Sequence, residues 1–268
     1  MNTRNIGRIQ LSDDWLRKFV PSIFAEEAHS TRSDNYTFVP THEVLSGLDK
    51  LGYVPFWADQ TNTRVEDKRA FTKHMVRLRH KSDATGIVVP KELNELVLVN
   101  SHDGTSSYQL SAGTFRLVCM NGLIRQDVGN SVRVNHKGNI LTSVLEAAEQ
   151  VVGQFSIMMD ERKRFEGTLL SYDEQVGFAN KALALRYDVS KEHSPIAGAN
   201  LLRDRRYQDR GNNLWLVLNR IQENLVRGGL QGLSKDSKRT TTRAITGIDK
   251  NININKGLWQ LANEFAEV

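Results

Sequence analysis

Hydrophobic and polar positions along the chain follow two different periods, and the change falls near residue 140. Up to that point most segments suit strands, with one clear exception. Thr41 opens a helix in which Val44, Leu45, Leu48 and Leu51 recur on one face and Gly52 supplies the stop. Tyr53–Ala58 then reads as a strand, Asp59–Arg69 as a polar connection, Ala70–His80 as a second strand, Lys81–Gly86 as a turn-rich loop and Glu95–Asn100 as a third strand. Connections this short favour an antiparallel sheet. Ser111–Met120 reads as a short helix with Asn121-Gly122 as a left-handed cap. The alternative is an Asn-Gly hairpin between Phe115–Met120 and Leu123–Gln126. Tyr108–Leu110 and Val132–His136 are further short strand candidates.

From Ile140 the spacing becomes helical. Leu141, Val144, Leu145, Ala148, Val151, Val152 and Phe155 share a face, in a helix that could continue toward Phe165. Tyr172–Tyr187 is a second helical stretch, and Leu214, Trp215, Leu218, Ile221, Leu225 and Val226 define a third, ended by Gly228-Gly229. Leu258, Trp259, Leu261, Ala262 and Phe265 make a last amphipathic helix. The expected fold class is α+β: a small antiparallel sheet packed on helices, in a helix–strand–strand–strand–helix core, with a mostly helical C-terminal half. The expected organisation is an N-terminal arm over 1–35, partly ordered, a core over 36–166, and a helical part over 167–268 that carries a flexible basic loop at 230–248.

Composition narrows the functional classes. With 268 residues, 39% hydrophobic and 25% charged, the chain can bury a real core and is not disordered throughout. Its net charge of +5 and its pI of about 9.3 favour an anionic partner. Cys119 is the only cysteine, so an intrachain disulfide and a multi-cysteine zinc site are excluded, and its apolar surroundings in Phe115–Met120 suit a buried structural thiol. No apolar run reaches the roughly 18 residues of a membrane span. The first residues, MNTRNIGRIQ, lack the apolar core of a signal peptide, so a cytoplasmic protein is expected.

The basic residues form three clusters. In FTKHMVRLRH (71–80), Lys73, Arg77 and Arg79 fall on one side of a two-residue period, while His74, Val76 and Leu78 fall on the other. Arg64, Lys68, Arg69 and Lys81 flank them. Arg203, Arg205, Arg206 and Arg210 form the second cluster, and Lys235, Lys238, Arg239 and Arg243 the third. A strand of this kind offers one side to a core and the other to phosphates, whose neutralisation makes binding salt-dependent. Trp57, Phe71 and Tyr207 lie close enough in sequence to stack on unpaired bases, although core packing is the ordinary role of an aromatic side chain.

Other chemistry finds less support. His74, His80, His102 and Asp103 are the residue types of a metal-dependent nuclease. Yet His74 and His80 lie about 20 Å apart on an extended strand at roughly 3.3 Å per residue. No HxH, HExxH or paired-carboxylate pattern accompanies them, and His102-Asp103-Gly104 suits a turn. The chain has no GxxxxGK[ST], GxGxxG or GxSxG motif. No catalytic residue, metal or cofactor is therefore expected.

The segment NSHDGTSSYQLSAGTFRLVCMNGLI (Asn100–Ile124), preceded by HMVRLRH and followed by His136-Lys137-Gly138, resembles a phage- and plasmid-encoded domain family of unknown function, number 932. LWLVLNRIQENLVRGG (Leu214–Gly229) and the closing NININKGLWQLANEF resemble it as well, so the likeness runs over about 36–266. It implies a mobile-element protein of a bacterial cytoplasm. The element order also resembles, at the level of topology, single-strand annealing proteins of the Erf, Red-beta and Rad type. Together these resemblances imply single-stranded DNA binding (or RNA binding), annealing without nucleotide hydrolysis, and a ring or filament of identical subunits. The sites expected to hold the strand are Arg64, Arg69, Lys73, Arg77, Arg79, Lys81, Arg203, Arg205, Arg206, Lys238 and Arg239. The rival expectations are an interaction protein that blocks a host defence system through a host protein partner, and a metal-dependent nuclease.

Overall fold

A computed structural model of the chain describes residues 9–31, 36–84, 92–116, 121–125, 132–136, 138–187 and 193–267. Cys119 lies outside these residues, as do the ends of the 1–35 arm and residues 117–120. The fold is α+β with an open antiparallel sheet. The chain divides into two compact units, Met1–Gly122 with Asp127–Phe155, and Leu123–Gln126 with Ser156–Val268. The boundary therefore falls about ten residues earlier than the 166 expected from sequence, and the arm joins the first unit.

In the first unit, the helix α1 (Asp13–Phe19) starts where the Ser12 side chain accepts from Trp15 N, and it buries Leu16. Leu11 N donates to Pro55 O at 2.8 Å, which ties the arm to the sheet. The second helix, α2 (Thr41–Lys50), buries Val44, Leu45 and Leu48 as its spacing requires. It is followed by the strands β1 (Tyr53–Gln60) and β2 (His74–His80), the single turn α3 (Lys81–Ala84), and the strands β3 (Glu92–Asn100) and β4 (Tyr108–Arg116). These four strands form an antiparallel meander. Two short strands, β5 (Asn121–Ile124) and β6 (Val132–Val134), extend the sheet beyond β4. The helix α4 (Ile140–Gly153) is capped by the Asn139 side chain. Gly47 lets α2 approach α4, since a Cβ there would lie 3.1 Å from Leu145.

The preferred reading of 111–120 as a helix does not hold over its described residues, 111–116. Ser111–Arg116 belongs to β4 and Asn121–Ile124 forms β5 beside it, so two neighbouring strands stand here, with Asn121-Gly122 inside β5 rather than at the turn that the hairpin alternative gave them. Gly113 disfavours a helix interior, and the register pairs it with Glu95 while Phe115 pairs with Leu93. The sheet thus has more strands before its long helix than the three expected.

In the second unit, the helices are α5 (Phe155–Gly167), α6 (Tyr172–Ala184), α7 (Leu214–Arg227) and α8 (Ile248–Ala266). The break between α4 and α5 falls after Gly153, so the helix from Ile140 does not run on unbroken. Aromatic rings hold the bundle: Trp259 lies 5.5 Å from Phe165 and 6.2 Å from Trp215, and Phe178 lies 5.0 Å from Phe265. Trp259 Nε1 donates to Glu161 at 2.9 Å, a partner that the buried indole requires. Residues 230–248 are not a loop. They form the hairpin of β7 (Gln231–Leu233) and β8 (Arg239–Thr241), followed directly by α8. The buried Thr242 secures its base, accepting from Leu230 N at 3.0 Å.

Candidate functional site

Strand β2 is where the structure departs most from the expected phosphate track. The alternation is real, but both faces are covered. Arg77 and Arg79 are 4% and 1% exposed. They converge on one carboxylate, that of Glu95, itself fully buried on β3. Arg77 Nη1 reaches Oε2 at 2.6 Å, while Arg79 Nε and Nη2 reach Oε1 at 2.9 and 2.8 Å. The Arg79 guanidinium lies 4.1 Å from the Phe115 ring centre and 4.7 Å from that of Phe56. Arg77 Nη2 donates to Gly122 O at 2.8 Å, and a Cβ at Gly122 would overlap Arg77 Nη1. These two arginines build the sheet and are closed to a nucleic acid strand. Register explains why: Glu95 stands on the same face of the sheet as Arg77 and Arg79, beside the apolar Val97 and Val99.

The other expected cations of this unit lie elsewhere. Arg64 and Arg69 are exposed in the connection between β1 and β2, and Lys73 is half-buried at its end. Lys81 pairs with Asp49 at 2.5 Å. Phe71 packs edge-on against His29, and Trp57 sits half-buried on β1.

The opposite face of β2 carries a polar knot that sequence spacing did not reveal. Thr41, at the start of α2, touches His74 Nε2 at 2.9 Å, His102 Nε2 at 3.1 Å and Asn100 Nδ2 at 3.1 Å. A hydroxyl has one hydrogen to give and two lone pairs. His74 Nδ1 faces Thr72 O at 3.1 Å, so it carries the proton and Nε2 accepts from Thr41. His102 Nε2–H and the Asn100 amide then fill the two lone pairs. Tyr108 donates its hydroxyl to Val39 O at 2.9 Å, and His136 Nε2 lies 3.1 Å from Asn100 Oδ1. His102 Nδ1 is buried with no hydrogen-bond partner among the described residues. Burial pushes the His74 pKa down to about 4, against the pull of Thr72 O and Asp103. Burial, followed by the neighbouring His74, His136 and His42, pushes that of His102 down to about 2. Both rings are neutral parts of the core.

Asp103 is engaged as a turn residue: its Oδ1 accepts from Thr105 N at 3.0 Å and from Thr105 Oγ1 at 2.7 Å. His80 lies at the other end of β2 from His74, with Nδ1 2.7 Å from Ser82 Oγ. Among the described residues, no group of three histidine, cysteine, aspartate or glutamate side chains is placed to hold a metal ion.

The second basic cluster gathers at one place within the second unit, while Lys238 and Arg239 of the third lie along the hairpin that follows it. Arg203, Asp204, Arg205, Arg206, Asn224, Arg227, Gly229 and Leu230 line an open pocket of about 450 Å³. The base of the β7–β8 hairpin forms one side of it, which places Arg239, opposite Leu233, about 10 Å along the hairpin from Leu230. The C-terminal end of α7 gathers the cations: Arg205 Nε donates to Asn224 Oδ1 at 2.8 Å and Nη2 to Gly228 O at 2.5 Å. Gly228 has φ +64°, and a Cβ there would lie 2.6 Å from Arg243 backbone atoms, so this corner requires glycine. Arg206 and Arg227 share the buried Glu223 at 2.6 and 2.9 Å. Burial first, and then the like charges of Arg227, Arg206 and Arg203, lower the Arg205 pKa against the opposing effect of Glu223. Arg203 is exposed, as are Lys238 and Arg239 on the hairpin. Tyr207, next to Arg206, is 77% exposed, and the Arg210 guanidinium lies 5.4 Å from its ring centre.

A family model described as a domain of unknown function (DUF932) matches residues 28–259. The chain belongs to the DUF932 family. Two Escherichia coli K12 proteins of the UPF0380 group, YfjQ and YafZ, are each 42% identical to it over 252 residues, covering 94% of this chain and 90% of theirs. No solved structure matches the chain. The DUF932 match takes in the sheet, the histidine knot and the arginine pocket alike, so none of them is an addition peripheral to the family domain. No helix among the described residues is long and apolar enough to cross a membrane.

Proposed function

We propose that this DUF932 protein binds single-stranded nucleic acid in the cytoplasm of a bacterial host, as a DNA-annealing or strand-protecting protein that hydrolyses no nucleotide. One observation carries the reading: the pocket of Arg203, Arg205, Arg206 and Arg227, continuous with a hairpin that bears exposed Lys238 and Arg239. A guanidinium cluster suits phosphate recognition, because each group presents several N–H donors in a fixed plane. Tyr207 offers an exposed ring beside it, the kind of platform on which an unpaired base stacks. The interface is thus moved from β2 to the second unit. Because one pocket holds few nucleotides, coverage of a long strand would require several subunits side by side.

The test is a fluorescence-anisotropy titration of a labelled single-stranded oligonucleotide at low and moderate salt. Binding that weakens with salt supports the proposal. Absence of binding at low salt ends it.

A further inference from the structure

Resting on that reading, we infer that the arginine pocket is a site for a phosphate monoester, the doubly charged terminal group of a phosphorylated strand, rather than for the singly charged diesters along a backbone. The charge arrangement argues for it. The carboxylates near the pocket are already shared: Asp204 serves Arg220 and Arg210, at 2.9 and 3.4 Å, and Glu223 serves Arg206 and Arg227. Arg205 by contrast donates to two neutral acceptors, Asn224 Oδ1 and Gly228 O, and among the described residues it makes no direct ion pair, with Glu223 acting on it through space. Its Nη1 hydrogens remain for a ligand. Arg203 is exposed on the same rim. Two guanidinium groups without dedicated carboxylates match an anion of about −1.5 to −2 charge with three acceptor oxygens.

The geometry suits a chain end as well. The pocket is an open depression at the corner where α7 turns into β7. At its edge Gly229 has φ +79° and nothing within 4 Å of the position of a Cβ, so the wall there is bare backbone that a compact group can approach. Tyr207 follows Arg206 directly and leaves its ring exposed, where the terminal base could lie while its phosphate occupies the pocket.

The experiment compares one oligonucleotide in three forms, with a 5′-phosphate, a 3′-phosphate or hydroxyls at both ends, by anisotropy competition on the full chain. A mononucleotide 5′-monophosphate and inorganic phosphate are tested in parallel by calorimetry. The expected result is that one phosphorylated end binds on the order of tenfold tighter than the hydroxyl form. The advantage should shrink below about pH 6, where the monoester takes up its second proton. Arg205→Ala should abolish the preference and lower the melting temperature by a few degrees, because Asn224 Oδ1 and Gly228 O lose their donor, and Arg205→Lys should restore only part of the preference. If all three forms bind alike, the inference fails and the single-strand reading stands. If the mononucleotide binds and no oligonucleotide does, the pocket takes a free nucleotide, and both the strand-end inference and the single-strand reading fail. If nothing binds, both are wrong.

Discussion

Replacing Glu95 with Gln should unfold this protein far more readily than any change to its exposed cations. The carboxylate is completely buried and accepts three charge-assisted hydrogen bonds, from Arg77 Nη1, Arg79 Nε and Arg79 Nη2. Glutamine keeps the shape, but it has one carbonyl oxygen, and its amide hydrogens would face guanidinium hydrogens. Two buried positive charges would then have lost the carboxylate that they share. Breaking a buried ion pair by removing one partner costs about 3–5 kcal/mol. The bonds themselves set a floor, because a glutamine carbonyl at the Oε1 position keeps both Arg79 bonds and only that of Arg77 is lost, at about 1.5–3 kcal/mol. At about 2–4 °C per kcal/mol for a protein of this size, the melting temperature should fall by on the order of 10 °C. Urea denaturation followed by far-ultraviolet circular dichroism measures the loss directly. A joint change of Arg77, Arg79 and Glu95 to Met, Met and Leu should cost much less than Glu95→Gln, because no charge is left unpaired. The reasoning is refuted if Glu95→Gln is within about 0.5 kcal/mol of the parent, the range of an ordinary surface change. Weakened nucleic acid binding in that same stable variant would return β2 to the role that its alternation suggested.

Two further predictions concern the histidine knot. The folded-state pKa values of His74 and His102, about 4 and about 2, lie below the ordinary value of 6.5, so the unfolded chain takes up protons first as pH falls. Stability should be fully present above about pH 6.5 and decline below it, by about 1.4 kcal/mol per pH unit for each ring, or about 5 kcal/mol between pH 6.5 and 4.5. The urea midpoint followed across that range should show this, with the slope roughly halved in His102→Gln; an unchanged midpoint at pH 5 would contradict it. Thr41→Val keeps the shape but strips His74, His102 and Asn100 of their common partner, at an expected cost of about 2–4 kcal/mol by the same urea assay; a cost under about 0.5 kcal/mol would show that water replaces the hydroxyl.

The elements that were legible in the sequence had both a periodic face and a stop. α7 is the best case: its apolar spacing from Leu214 to Val226 and the Gly228-Gly229 pair marked both the element and its end. The strand β1 was legible from its apolar and aromatic run after the Gly52 stop, with burial that alternates along it, and β3 from the short apolar run Leu96–Val99, which is buried throughout. What local pattern could not report was the partner across the sheet. Lys73, Arg77 and Arg79 alternate as a solvent-facing side would. Only the β2–β3 register, which pairs Arg77 with Val97, shows that Glu95 lies beside them. The histidine knot was hidden for a related reason, because Thr41, His74, Asn100, His102 and His136 come from separate elements and meet only in the folded sheet. In the segment 111–120, small residues beside Phe115 left helix and strand nearly balanced, and the pairing with β3 decided between them. The basic cluster at 203–206 was visible, but its meeting with Arg227 and Asn224 at one pocket depends on how the chain from 203 to 206 packs against the C-terminal end of α7.

The most direct test of the proposed interface is the salt dependence of oligonucleotide binding in the parent and in Arg203→Ala/Arg205→Ala, with Arg64→Ala/Lys73→Ala as the comparison. For single strands, the slope of log affinity against log salt is about −0.7 per phosphate neutralised. The account predicts that the Arg203/Arg205 pair makes the slope shallower by about 1.4 and weakens binding, while the Arg64/Lys73 pair changes the slope little. An unchanged slope and affinity in the Arg203/Arg205 variant, with the loss appearing in the Arg64/Lys73 variant instead, would contradict it.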